Sequence, residues 1–413
     1  MGLKTNSIIN LAGYALPTLV SIPATGYLAR KLGTDEFGIY LIFFTIIGYA
    51  SIFDLGLSRA IVRDISLNRN NKEEVKNSTS TALVITLSVG VLIAICIYYY
   101  SPQISGFLSK KNDTSDIVFS VKLIALCIPF YLLTQVVWGV FEGHENFKSL
   151  NIQRTLSGII SALLPLLMIQ FTSSLGYATV GLVVGRIFGA IISYTFLMRY
   201  TKVEFKLNLK KMKELLSFGG WASVSSVINP LLTNIDRLIL TNLAGPAKSA
   251  FYMAPSDGIS KLLIIPTTIA RTIFPALCKI NTTDERKAIL KESYLIVSLV
   301  TFILVIPVFI FSDKLITLWL GEQFATVAPD IFRVLLIGFV FNSLAQIPFA
   351  QIQSKGLSNI TATIHMIECI PYLIVLFFLI KEYSAMGAAY AWSVRVATDY
   401  FILWFVSYKT ERR

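Results

Sequence analysis

The chain has 413 residues, of which 54% are hydrophobic and 15% are charged, and its mean hydropathy is +0.67. Soluble domains carry about 25% charged residues, so this composition excludes an ordinary soluble protein and indicates an integral membrane protein. The formal net charge is +12, and the cations lie mostly in connections between apolar segments, so no nucleic-acid partner is needed to explain them. The four cysteines form no CxxC pair and there are two histidines, which predicts no disulfide framework, no metal centre and no cofactor.

Apolar runs of about 20 residues predict membrane-spanning helices. Twelve segments qualify, which predicts an all-α polytopic membrane protein. They cover residues 6–29, 37–62, 79–100, 117–141, 150–171, 177–198, 215–242, 250–277, 290–311, 327–352, 359–380 and 385–407.

The distribution of Lys and Arg predicts the orientation, because cytoplasmic connections are enriched in these residues. If the N-terminus is cytoplasmic, the inner connections and ends hold 21 cations and the outer connections hold 7. Both termini are therefore predicted to lie in the cytoplasm.

The two halves of the sequence resemble each other. The segment from Gly33 to Tyr40 (GTDEFGIY) and the segment from Gly245 to Tyr252 (GPAKSAFY) lie 212 residues apart, and the same offset carries Arg59 onto Arg271. Six spans in each half give both halves one orientation, which predicts a parallel repeat. The predicted domains are an N-terminal six-helix lobe (1–200), a basic cytoplasmic linker (201–214) and a C-terminal six-helix lobe (215–413).

Charged residues fall inside the predicted spans, where each costs about 2.5–3.5 kcal/mol to insert. Two pairs of opposite charges are spaced i,i+4: Asp257 with Lys261, and Arg395 with Asp399. The two members of each pair share a helix face, so we expect their charges to neutralise each other. Asp54, in contrast, lies five residues before Arg59 and does not share its face of a continuous helix.

The remaining arginines outnumber the acids and cannot lose a proton to escape this cost. The surplus predicts a hydrated, electropositive central cavity, and a fully internal ion-pair network is the alternative. Guanidinium groups suit phosphate, whose oxygens they bind two at a time. The predicted substrate-binding cations are Arg59, Arg186, Arg237, Arg271, Lys261 and Arg30; the predicted cavity acids or ion-coupling sites are Asp54, Asp236 and Glu368.

The sequence contains no Walker A, GxSxG or HExxH motif, which argues against an ATP-driven motor and against these classes of enzyme. The longest predicted outer loop covers residues 101–116. This loop is too short for the external catalytic domain that a glycan polymerase would need.

Residues 28–66, LARKLGTDEFGIYLIFFTIIGYASIFDLGLSRAIVRDIS, carry a family motif. The stretch resembles the polysaccharide-transport flippases of the multidrug/oligosaccharidyl-lipid/polysaccharide exporter superfamily, in particular the O-antigen flippases called Wzx. The matching positions are Ala29 to Gly33, Glu36 to Tyr40 and Asp54 to Leu57. Beyond residue 66 the resemblance lies in the twelve-span, two-half plan.

The resemblance implies a transporter in the bacterial cytoplasmic membrane. It implies alternating access between two lobes, and a substrate of oligosaccharide repeat units linked to undecaprenyl diphosphate. It further implies the polymerase and the chain-length regulator of the same pathway as candidate partners.

Three other functions stay open from the residues. A cation-coupled drug antiporter of the same superfamily would favour a cavity rich in carboxylates. A major-facilitator transporter would carry glycines in its second connection, RDISLNRNNKEEVK, which has none. A membrane-embedded glycan polymerase is disfavoured by the short outer loops.

Overall fold

A computed structural model describes the backbone of residues 3–54, 56–110, 114–279 and 282–411. Its side chains are described for residues 13, 15–54, 56–110, 114–217, 234–270, 273, 274, 277, 282, 284–357 and 359–410. Throughout these ranges the ordered elements are helices and no strand occurs, which confirms the predicted all-α class.

The α-helices follow one another with short connections. They are α1 (Leu3–Ala50), α2 (Leu57–Asn68), α3 (Lys72–Tyr99), α4 (Ser101–Leu108), α5 (Ser115–Gly143), α6 (Phe147–Met168), α7 (Leu175–Tyr200), α8 (Leu209–Ala244), α9 (Pro246–Leu262), α10 (Ile264–Lys279), α11 (Thr283–Ile310), α12 (Ser312–Leu320), α13 (Ala328–Ser354), α14 (Ser358–Tyr383) and α15 (Ala385–Glu411). Within the described ranges, short 3₁₀ helices also cover Ser51–Asp54 and Glu322–Phe324.

Eight helical stretches within the described ranges are long and apolar enough to cross a membrane: Ala15–Asp54, Lys72–Tyr99, Ser115–Gly143, Phe147–Met168, Leu175–Tyr200, Asp284–Ile310, Ala328–Ser354 and Asn359–Tyr383. In lipid each backbone N–H and C=O must be bonded inside its own segment, which is why these apolar runs are helical. The chain is therefore a multi-pass membrane protein. The count of twelve spans and the cytoplasmic position of both termini stay predictions.

Gly33 and Gly245 confirm the internal repeat at the level of the backbone. Gly33 has φ 75° and ψ 173°, and Gly245 has φ 88° and ψ 164°. A positive φ suits glycine because it has no Cβ. Each glycine ends one helical segment and starts the next, so the offset of 212 residues seen in sequence also relates two matching kinks.

The helices that follow repeat in the same order. The bounds of α3 and α11 differ by 211 residues at both ends, as do the starts of α4 and α12 and of α6 and α14. Ser101 and Ser312, at the starts of the two short helices, each donate a hydrogen bond to the carbonyl three residues earlier. The second half of the chain therefore repeats the helix plan of the first half.

The second predicted span of each half is interrupted rather than continuous. The segment 37–62 contains the end of α1, the 3₁₀ helix Ser51–Asp54 and the first half of α2, and Gly56 lies just before α2 with φ 67°. The segment 250–277 is split between α9 and α10 at Leu263. Because α2 is a separate helix, the expected angle between Asp54 and Arg59 on one continuous helix does not apply.

The chain forms two compact units, Met1–Leu238 and Ile239–Arg413. The division lies inside α8, whereas the sequence places the lobe boundary at residues 201–214, and that boundary stays a prediction. In the first unit, buried side chains of α2, α3 and α5 build one apolar core, which includes Ile61, Leu83, Val137 and Phe141.

Candidate functional site: polar clusters inside the helical units

Three glycines allow α7 to lie close to α6. A methyl group at Gly181 would lie 2.5 Å from Cα of Pro165, and one at Gly185 would lie 2.8 Å from Cα of Ser161. One at Gly189 would lie 3.0 Å from the side chain of Ser157. The four-residue spacing places these glycines along one face of α7, so the two helices pack almost backbone to backbone.

Arg186 follows Gly185 by one residue and so points about 100° away from the glycine face. Its guanidinium carbon lies 5.7 Å from the ring centroid of Tyr131 on α5, a distance at which a cation is attracted to the face of an aromatic ring. Its Nε is buried, and no group in the described part of the chain hydrogen-bonds to it. One donor of this cation therefore has no hydrogen-bond partner among the described residues.

Other polar side chains share the surroundings of Arg186. The buried side chains of Tyr40 and Cys127 lie within electrostatic range of the Arg186 guanidinium. Tyr131 lies within range of both Arg186 and Asp54. The packing of α1, α5 and α7 therefore brings Asp54 and Arg186 to the same tyrosine, although they are far apart in sequence.

Asp54 is buried and has a structural role. Its Oδ2 accepts a hydrogen bond of 3.0 Å from the backbone N–H of Ser58 in the first turn of α2. A carboxylate at the start of a helix satisfies an otherwise unpaired N–H and suits the helix dipole. Its other oxygen, Oδ1, is buried without a hydrogen-bond partner among the side chains and backbone that the structure describes.

Arg59 lies on the exposed face of α2, together with Arg63 four residues later. The opposite face carries Leu57, Ala60, Ile61 and Ile65, which are buried. The apolar face of this amphipathic helix packs on α5, and its cationic face is left accessible.

Asp236 and Arg237 are both buried near the end of the first unit. The backbone N–H of Arg237 donates a 2.8 Å hydrogen bond to Oδ1 of Asp236. The charges of both residues act on the hydroxyl of Tyr49 in α1. The side chains of Asp236 and Arg237 therefore both lie near Tyr49, although they occupy successive positions of α8.

The other predicted cations are dispersed. Arg30 is exposed, three residues before the kink at Gly33. Lys261 is half-buried in α9 and lies within electrostatic range of Asp257, its i,i+4 neighbour. The side chain of Arg271 lies outside the described residues, so its predicted role with Arg59 stays a prediction.

In the second unit, a polar cluster lies between α14 and α15. Nε2 of His365 is 3.4 Å from Oδ1 of Asp399, and the guanidinium carbon of Arg395 lies 5.0 Å from the ring centroid of Tyr372. Both carboxylate oxygens of Glu368 are buried, and no hydrogen-bond partner for them occurs among the described groups. The charges around Glu368 are those of Asp399, His365 and Arg395.

Sequence reasoning missed two features of this cluster. It paired Asp399 with Arg395 by helical spacing, which stays a prediction, and it did not foresee the neighbour of Asp399 on α14, His365. It also left Arg395 out of the candidate cations. Arg395 lies 209 residues after Arg186, close to the repeat offset, and each of these arginines faces a tyrosine ring.

These clusters suit charge recognition more than catalysis. Among the described residues, no group of three or more His, Cys, Asp or Glu side chains could hold a metal ion. The functional groups within the helical bundles are arginines over tyrosines and buried carboxylates.

The family described as "Polysaccharide biosynthesis protein" matches residues 3–281, which is more than half of the chain. The chain belongs to this family. The assignment confirms the resemblance seen in residues 28–66, and the family's relatives extend over the whole sequence. The "Putative O-antigen transporter" of Shigella flexneri is 38% identical over 405 residues, which cover 98% of this chain and 97% of that protein.

Solved structures agree with the family's fold. An inward-facing multidrug resistance MATE family transporter of the MOP superfamily has a TM-score of 0.77 at 14% identity, covering 98% of both chains. The lipid II flippase MurJ has a TM-score of 0.77 at 13% identity, covering 97% of this chain and 87% of that chain. These two structures show the shared fold. The family and the relative of 38% identity make this chain a membrane transporter of polysaccharide biosynthesis and not an enzyme.

Proposed function

We propose that the chain is a flippase for oligosaccharide repeat units linked to undecaprenyl diphosphate, of the O-antigen or capsule type. It carries these units from the inner to the outer face of the bacterial cytoplasmic membrane. The observation that carries the proposal is the 38% identity to a protein named as an O-antigen transporter over 98% of the chain. A multidrug resistance transporter shares the fold alone, at 14% identity.

The polar clusters support a substrate with a diphosphate headgroup. Arg186 presents a buried, unpartnered Nε inside a predicted span, and the cationic face of α2 presents Arg59. Guanidinium groups bind phosphate oxygens through charge-assisted hydrogen bonds, which are about twice as strong as neutral ones. In this proposal the arginines line a cationic cavity that opens alternately to the two sides of the membrane.

The proposed direction follows from topology. The excess of Lys and Arg in the connections assigned to the inside, 21 against 7, supports termini in the cytoplasm. The polymerase and the chain-length regulator of the pathway are the proposed partners on the outer side.

Complementation of a bacterial strain that lacks its own flippase gene tests the function. The strain should accumulate lipid-linked repeat units at the cytoplasmic face, and expression of the chain should relieve the accumulation and restore surface glycan. A strain that changes only the length of its glycan chains would instead indicate a polymerase. Drug resistance without glycan export would indicate an antiporter.

Arg186→Gln tests the role of the buried guanidinium in the same strain. Loss of one charge-assisted contact, worth about 1.5–3 kcal/mol, should lower export about tenfold or more. Arg186→Lys should restore export in part, because it keeps the charge and loses the fork. Arg199→Gln, which removes an exposed arginine from the last turn of the same helix, is the matched control. Export at the wild-type rate by Arg186→Gln at normal membrane abundance would exclude Arg186 from the substrate path.

A further inference from the structure

The connection between α7 and α8, together with the first turn of α8, forms a strap along α3 over residues 202–213. The backbone N–H of Glu204 donates to Oγ of Ser80 at 3.1 Å, and the N–H of Asn208 donates to Oγ1 of Thr81 at 3.2 Å. The carboxylate of Glu204 also pairs with Lys76. These contacts lower the pKa of Glu204, chiefly through its hydrogen bonds to Lys76 and Lys206. The strap is thus a built part of the first unit rather than a free connection.

The position of the strap on α3 indicates its depth. The first turns of α3 are charged (KEEVK, 72–76), and the helix is uncharged from residue 77 to residue 99. Ser80 and Thr81 lie where the charged turns give way to the apolar run. Such a transition marks the boundary between the membrane and water, so the strap lies at that boundary.

Lys211 fixes the C-terminal end of the strap through ion pairs. This lysine is only 9% exposed, and its Nζ lies 2.6 Å from Glu74, 3.1 Å from Glu214 and 3.3 Å from Asp64. Burial acts to lower the pKa of Lys211, but the hydrogen bonds to Glu74 and Glu214 and the charge of Asp64 together raise it above its ordinary value. Lys211 is therefore fully charged, and its charge is matched by carboxylates of the same unit.

The outward side of the strap combines apolar and cationic side chains. Phe205, Leu207 and Leu209 are 57%, 45% and 68% exposed. They alternate with or adjoin exposed lysines, at positions 202, 206, 210 and 213. Large apolar side chains next to lysines are the composition of segments that lie in the interface of a membrane, where the apolar groups enter the acyl boundary and the cations meet anionic headgroups.

We propose that the strap is a docking surface for anionic phospholipid headgroups of the leaflet that it faces, and that this contact stabilises the first unit. Charge complementarity selects this occupant, because the four exposed lysines outnumber the exposed carboxylates of Glu204 and Glu214 and adjoin three exposed apolar side chains at the predicted interface depth. Transport of a glycan does not require such a surface, so the proposal stands apart from the proposed function.

The test uses the purified full-length chain in nanodiscs of phosphatidylcholine alone or mixed with phosphatidylglycerol, with the midpoint of thermal unfolding as readout. The midpoint should rise with the phosphatidylglycerol fraction, and added salt should reduce the rise by screening. Replacement of the four strap lysines, at 202, 206, 210 and 213, by Gln should leave less than half of the rise. The matched control replaces Lys110, Lys248, Lys314 and Lys381, exposed lysines of the predicted outer side, and should keep it.

The strap variant must first match the wild-type midpoint in phosphatidylcholine. If it does not fold, Leu209→Trp gives a second measurement, in which brominated phosphatidylglycerol should quench the added fluorescence more than brominated phosphatidylcholine. The proposal is overturned if the strap variant keeps the full rise, if the control loses as much, or if inorganic phosphate produces the same rise. Equal quenching by the two brominated lipids would overturn it as well.

Discussion

Replacing Gly181 with Ala tests the close packing of α7 on α6. The added methyl group would lie 2.5 Å from Cα and 2.6 Å from N of Pro165, and 2.7 Å from the carbonyl oxygen of Leu164. All three are backbone atoms, so no side chain can rotate away and the helices must separate. Overpacking of this kind costs about 1–3 kcal/mol, and the better helix propensity of Ala returns at most about 1 kcal/mol.

We therefore expect Gly181→Ala to lower the free energy of unfolding by up to roughly 2 kcal/mol, which is the overpacking cost less the gain in helix propensity. The measurement is the midpoint of thermal unfolding of the purified protein, together with glycan export in cells. Export should also fall, because Arg186 is carried on the displaced helix.

Gly48→Ala is the matched control, since it lies inside α1 of the same unit and a methyl group there meets no atom within 4 Å. This control should be neutral or slightly stabilising. A Gly181→Ala protein that unfolds at the wild-type midpoint would refute the backbone-to-backbone packing of α6 and α7.

Three further predictions concern charge. Lys211→Met leaves three carboxylates without their shared cation and should lower the free energy of unfolding at pH 7 by about 1.5–3 kcal/mol. Because the pKa of Lys211 is raised, the stabilisation by its charge is complete below about pH 10. An unchanged midpoint of thermal unfolding would contradict this prediction. Burial and the charge of Arg69 lower the pKa of His144, so the unfolded chain binds its proton more readily and stability should fall as pH drops below about 6.5. The ring of His144 lies 4.9 Å from that of Tyr200, centroid to centroid, and His144→Phe keeps a ring there. This variant should flatten the pH dependence of stability below about pH 6.5, and parallel curves for the two proteins would refute the assignment. The third prediction concerns proteoliposomes that carry a potassium diffusion potential set with valinomycin, with equal pH and equal sodium on both sides. A substrate with two negative charges gains about 4–5 kcal/mol per 100 mV on moving to the positive side, so flipping in that direction should accelerate. Acceleration by a pH or sodium gradient alone would favour the buried carboxylates as coupling sites.

The sequence by itself determined the helical class and the repeat. Apolar runs must be helical in lipid because the backbone has no other hydrogen-bond partner there, and this requirement is local. The offset between Gly33 and Gly245 reports a backbone conformation that glycine favours, so the matching kinks could be inferred before any tertiary contact was known. The break after Asp54 was harder to infer, since a short 3₁₀ turn and one left-handed glycine leave the apolar pattern unchanged.

Only the tertiary structure decided the partners of the charged residues. Helical spacing shows which residues share a face, but it does not show which neighbouring helix covers that face. Arg186 therefore meets Tyr131 from another helix, and Asp399 meets His365 rather than depending on its own helix alone. Lys211 reads as one of many linker cations in the sequence, yet three carboxylates from different segments converge on it, because packing brings together charges that are distant along the chain.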